Sequence, residues 1–212
     1  MFYKFIYPKK KINLFALLIL ISILPIISIV RPGDYQSGDF NIHIYRSIDF
    51  YSSLLEGNLM PSWAGTLNAT YGYPVFLFNY TVPYYLISFV HSSGLSFITS
   101  LKIILSSTFI LSGIFMFFFS KRIFKNDFAA FCSSIFYLFT PYHLIDLHFK
   151  VALGELVAFT ILPLLFYFEH KLFYEKNKLF YLALSSLTCA LLIMSHAILA
   201  VFSLKLPVPM CV

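Results

Sequence analysis

The stretch KKKINLFALLILISILPIISIVRP, residues 9–32, decides the fold class. Three lysines precede 19 residues without a charge, Ile12 to Val30, and Arg31-Pro32-Gly33 follows. A membrane-spanning helix needs about 20 mostly apolar residues. A cleaved signal peptide has a shorter apolar core of ~7–15 residues and a small-residue cleavage site. The segment therefore reads as a retained signal anchor, with residues 1–11 as a cytoplasmic basic N-terminus.

The rest of the chain has the same character. Of 212 residues, 59% are hydrophobic and 11% are charged, where a soluble domain carries about a quarter charged residues. The 26 Phe and 15 Tyr suit a lipid-facing surface with tyrosines near the headgroups. The net charge of +6 comes in short clusters between apolar runs, which is a topology signal. It does not mark a basic soluble face, so no nucleic-acid partner is expected. Cys132, Cys189 and Cys211 form no CxxC pair, which excludes a disulfide framework or a zinc site read from spacing.

Four further runs are span-length: 97–120, 128–145, 151–168 and 179–204. A sixth candidate, near 75–93, is broken by Asn79, Thr81 and Pro83. The charges arbitrate. If that segment does not cross, Lys4, Lys9, Lys10, Lys11, Lys121, Arg122, Lys125, Lys171, Lys176 and Lys178 share the cytoplasmic side. Arg31, Arg46, Lys150 and Lys205 then face outward. If it crosses, most basic residues move outside, against the positive-inside rule. The expected fold is all-α and integral to the plasma (inner) membrane. It has about five transmembrane helices and an external loop, 31–96, that carries amphipathic surface helices at 39–56 and 80–92. A short external loop lies near 142–150. Residues 205–212 are an external tail, and the chain is expected to be incomplete, either truncated or the N-terminal part of a longer protein.

The chemistry sits in the external loops. In DFNIHIYRSIDFYSSLLE, residues 39–56, Asp39, His43 and Arg46 fall at i, i+4 and i+7 on one helical stripe. Ile44, Ile48, Tyr51 and Leu55 form an opposing stripe suited to lying on the membrane surface. An arginine fork fits phosphate oxygens, and an acid or imidazole can take a proton from a hydroxyl. A solvated polar face with an internal ion pair is the simpler alternative. Tyr80, Tyr84 and Tyr85 read first as interfacial anchors. In TPYHLIDLHFKVALGEL, residues 140–156, His143, Asp146 and Lys150 share a helical face, with His148 beside it. Glu155, an acid one turn into a span, is costly and therefore a functional candidate. Lys102 either snorkels or reaches the same pocket. Asp39, His43, His143, Asp146 and His148 could together bind a divalent ion, although no tight ligand spacing is present.

Several ordered motifs carry a family resemblance: GDFNIHIYRSIDFYSSLLEGNLMPSW, YGYPVFLFNYTVPYYL, FFFSKRIF, FYLFTPYHLIDLHFKVALGELVAF and LIMSHAIL. From about residue 33 the chain resembles the polytopic bacterial membrane proteins labelled 6-pyruvoyl-tetrahydropterin synthase-related. Nothing in it resembles the metal site of the soluble pterin enzyme. The architecture is similar to that of GT-C glycosyltransferases, which take sugars from polyprenyl-phosphate donors at the external face. That resemblance implies a catalytic acid at Asp39 and an acid of the second external loop at Asp146. It also implies a basic residue near the donor phosphate at Lys102. No Glu follows Asp39, and the later spans of that class are missing from these 212 residues. The implied function is transfer of a sugar from a polyprenyl-phosphate donor to an extracytoplasmic acceptor. The alternative is a non-catalytic membrane protein that binds lipid phosphates or assists envelope assembly.

Overall fold

The computed structural model describes residues 13–34 and 37–203. The expected basic N-terminus, the first residue of the anchor and the tail 205–212 lie outside the described residues. Among those described, helices dominate, and strand-like pairing is confined to a single bridge between Ala64 and Tyr73.

Helix α1, Leu14–Ile23, starts where the Asn13 side chain accepts from the Ala16 N–H. Pro25 tightens the chain into a 3₁₀ turn, Pro25–Ser28. Helix α2 is Phe40–Leu55, followed by a short α3, Val75–Phe78, and α4, Val82–His91. The long helix α5, Phe97–Phe124, opens at a Ser96 cap and closes at Lys125 in the left-handed conformation. Helix α6, Asp127–Leu138, leads to α7, Pro141–Ile145, and a π-helical turn, Asp146–Lys150. Helices α8, Leu153–Tyr174, α9, Lys178–Ser195, and α10, Ala197–Ser203, complete the described chain.

Helices α5, α8 and α9 are long and apolar enough to cross a membrane. The α6–α7 pair with its π turn is a fourth if the bent pair counts as one span. Length and composition thus support three to four crossings. The sequence-based count of five includes Leu14–Ser28, which is apolar but short of span length. The run 128–145 is not one straight helix. Pro141 removes a backbone donor, Thr140 before it is extended (ψ 131°), and the axis bends by 47°. The run 179–204 is likewise interrupted, because His196 is extended between α9 and α10.

Helix α5 is the central post. It packs against α1, α4, α6 and α8, and α9 covers the far side of α8. Gly113 lets α6 approach closely: a Cβ there would sit 2.6 Å from Leu138 Cδ1. The Thr160 hydroxyl donates to the Thr108 carbonyl at 2.9 Å and ties α8 to α5. Helix α1 runs antiparallel to α5, with Asn13 and Phe15 beside Phe117 and Lys121, and Arg31 beside Lys102.

Helix α2 turns its polar stripe inward. Phe40, His43, Ser47, Asp49 and Phe50 are buried, whereas Ile42, Tyr45, Ile48 and Leu55 are exposed. The exposed apolar face is the one that lipid would cover.

Candidate functional site

The N-terminus of α2 is docked on the π turn. The Gly38 N–H donates to the Phe149 carbonyl at 2.7 Å, and the Asp39 N–H donates to the Lys150 carbonyl at 2.9 Å. The close approach needs a small residue, since a Cβ at Gly38 would lie 3.2 Å from the Lys150 oxygen. Asp39 is therefore the N-cap residue of α2, but its carboxylate makes no capping bond and is exposed beside the second loop.

One turn further, the His43 ring is enclosed by tyrosines. Its Nδ1 lies 3.1 Å from the Tyr84 hydroxyl and its Nε2 lies 3.4 Å from the Tyr80 hydroxyl. Tyr80 and Tyr84 stack on each other at 5.8 Å. Burial, seconded by the Arg46 charge, lowers the His43 pKa to about 4, so the ring is neutral at physiological pH. Burial pushes the Tyr84 phenol up to about 12 and the Tyr80 phenol higher still. Arg46 reaches the Tyr73 hydroxyl at 3.4 Å, and its Nε–H is buried with no hydrogen-bond partner among the described residues. Burial works against the Arg46 charge, but the Tyr84 and Tyr73 oxygens outweigh it and hold the pKa above its usual value.

The second half of the site follows the π turn. Asp146 is fully buried, and the Lys150 ammonium lies 3.1 Å from its Oδ1. The same ammonium sits 4.5 Å over the Tyr142 ring. The Tyr142 hydroxyl donates to Glu155 Oε2 at 2.5 Å, and His196 Nε2 lies 3.8 Å from Glu155 Oε1. The break at His196 thus serves a purpose, since it brings an imidazole of α9–α10 against the acid of α8. Gly154 joins the halves: a Cβ there would enter the van der Waals shell of the Tyr80 ring and lie 2.7 Å from the Ser195 carbonyl oxygen. A cavity of about 400 Å³ opens beside this seam, lined by Asn79, Tyr80, Thr81, Met194 and His196.

Three sequence candidates go elsewhere. The His143 ring is buried against Phe109 and Phe159, both at 4.9 Å, and its Nδ1–H donates to the Tyr137 carbonyl at 3.2 Å. His148 faces the end of the 3₁₀ turn, with Nδ1 3.4 Å from the Ser28 hydroxyl. The Lys102 ammonium donates to the Arg31 carbonyl at 2.5 Å and to the Gly33 carbonyl. The metal reading of Asp39, His43, His143, Asp146 and His148 is corrected accordingly. Among the described residues no three His, Cys, Asp or Glu side chains converge as a ligand group. Tyr142 carried no expectation from the sequence, and Tyr80 and Tyr84 read as interfacial anchors; contacts with Glu155 and with His43 in space mark them.

The apolar helices and the polar cap at their ends define a multi-span α-helical membrane protein. Residues 78–208, more than half of the chain, match the family described as 6-pyruvoyl-tetrahydropterin synthase related domain, a membrane protein family. The chain belongs to that family. No curated protein and no solved structure matches it.

Proposed function

We propose that the chain crosses the plasma membrane five times, starting in the cytoplasm, and carries an extracytoplasmic site for a polyprenyl-phosphate-linked sugar. Support for the fifth crossing is the course of the N-terminal segment. It accompanies α5 from Lys121 at one end to Lys102 at the other, a rise of roughly 30 Å, the thickness of the hydrocarbon core. The charge distribution then sets the direction.

One observation carries the site: the paired backbone bonds from Gly38 and Asp39 to Phe149 and Lys150. They tie the backbone of Asp39 to the turn that carries Asp146 and Lys150, so two separate loops meet there and the Asp39 carboxylate is exposed beside them. In the reaction, the acceptor hydroxyl gives its proton to Asp39 and its oxygen bonds to the anomeric carbon. The bond from that carbon to the phosphate oxygen breaks, and polyprenyl phosphate leaves with inversion. Arg46 and Lys150 offset the charge on the leaving phosphate. Neutral His43 and the two tyrosines hold α2 in register, and the Lys102 ammonium fixes the start of the loop. We read the architecture as GT-C-like.

The test is release of polyprenyl phosphate by membranes carrying the protein, given a polyprenyl-phosphate sugar and a hydroxyl acceptor. Asp39→Asn is expected to abolish transfer, and undiminished transfer removes the central role of Asp39. The half-buried Arg46 guanidinium, set by the Tyr73 and Tyr84 hydroxyls, also fits a simpler reading, phosphate binding without turnover. In that case lipid-phosphate binding survives Asp39→Asn and is lost in Arg46→Ala.

A further inference from the structure

A second polar cavity lies at the opposite ends of the same helices. Helix α8 begins at the site, at Leu153, and ends at Tyr174, roughly 30 Å away at 1.5 Å per residue. There, Lys121, Arg122 and Lys125 at the end of α5 face Lys171 and Glu175 at the end of α8 around a cavity of about 400 Å³. Two of the four cations are balanced: Lys121 pairs with Asp127 and Arg122 with Glu175, both at 2.8 Å. Among the described residues no carboxylate pairs with Lys125 or Lys171, and Lys171 lies over the Tyr167 and Tyr181 rings. The cavity therefore carries a surplus of positive charge at a membrane boundary.

Its wall is not wholly polar. Phe118, which is substantially exposed, lines it and also lines a neighbouring cavity of about 450 Å³ beside Leu14, Phe15 and Phe117. Lys121 is likewise common to both. A basic chamber thus continues into a groove between α1 and α5 whose wall is Leu14, Phe15, Phe117 and Phe118, with Asn13 and the Lys121–Asp127 pair as its polar members.

We infer that this pair of cavities holds one anionic phospholipid, its phosphate among Lys121, Arg122, Lys125 and Lys171 and its acyl chain along Phe15, Phe117 and Phe118. The amphipathic shape matches the lipid: a phosphodiester needs surplus cations within reach, and basic pockets between spans favour anionic headgroups. A free anion would make no use of the aromatic groove. The site is separate from the proposed transferase centre and does not depend on it.

Binding is measured on the purified full chain in a neutral detergent, with short-chain phosphatidylglycerol against phosphatidylcholine of the same chain length. Phosphatidylglycerol is expected to bind more tightly. Lys125→Asn with Lys171→Gln should weaken it by roughly tenfold or more, each cation near the surface adding its share. Asn tolerates the left-handed backbone at position 125. Lys125→Arg with Lys171→Arg should retain binding, which separates lost charge from lost fold. Equal affinity for the two lipids overturns the inference, as does an unchanged Asn/Gln variant or an equal loss in the Arg/Arg variant. Displacement by inorganic phosphate at equal concentration would make this a free-phosphate site and also overturn it.

Discussion

His43 makes the stability of the loop cap depend on pH. Its pKa is lowered to about 4 from an ordinary 6.5, so the unfolded chain binds a proton that the folded chain refuses. Well above pH 6.5 the ring is neutral in both states and contributes no pH dependence. Between 6.5 and 4 the unfolded state takes up the proton first and stability falls. Below about 4 both states are protonated and the loss is complete. With about 1.4 kcal/mol for each tenfold change, the full separation is worth about 3 kcal/mol, of which about 2 kcal/mol is lost by pH 5. The assay is reversible unfolding in mixed micelles, followed by Trp63 fluorescence, for the native chain and His43→Gln. Gln fills the site without titrating, so its stability advantage over the native chain should grow by about 2 kcal/mol between pH 7 and 5. Parallel curves would refute the reasoning. So would nitrogen NMR of labelled imidazole that showed His43 protonated at pH 6 in the folded protein.

Two packing predictions follow from the same region. Gly154→Ala pushes a methyl group into Tyr80 and toward the Ser195 carbonyl; overpacking of this kind costs about 1–3 kcal/mol and should lower the unfolding midpoint while sparing helix content. Asp49 is buried and its Oδ1 accepts from both the N–H and the hydroxyl of Thr66, at 3.2 and 2.7 Å. Asp49→Ala strands both donors, costs about 1–3 kcal/mol, and should expose the 57–74 segment to protease before the helices are cut.

Much of the helical frame was legible because a span writes itself as a long apolar run, as in 97–120 and 151–168, each of which carries a single charge, Lys102 and Glu155. Breaks inside runs were harder. Pro141 is visible in the sequence, yet the apolar residues on both sides of it read as one helix. The His196 break carries no such marker; there the ring Nδ1 accepts from the Leu199 N–H at 3.2 Å and Nε2 lies 3.8 Å from Glu155. In α2 the i, i+4, i+7 spacing correctly placed His43 and Arg46 on one stripe, but spacing does not say which stripe turns inward. The stripe that looked solvated is the one packed on Tyr80 and Tyr84. His143 and His148 stand five residues apart and separate completely, one into an aromatic core and one toward Ser28. The π turn decides that, and no local pattern announced it.

The central claim is that loops 31–96 and 142–150 share one side of the membrane. It is tested most directly with Ser92→Cys and Asn126→Cys, each in a chain whose Cys132, Cys189 and Cys211 are replaced. Both target positions are exposed. Intact cells are treated with an impermeant maleimide. The account predicts that position 92 labels and position 126 does not, which leaves Asp39, Arg46, Asp146 and Glu155 in one compartment. Labelling at 126 and protection at 92 would contradict the topology and, with it, the external active site.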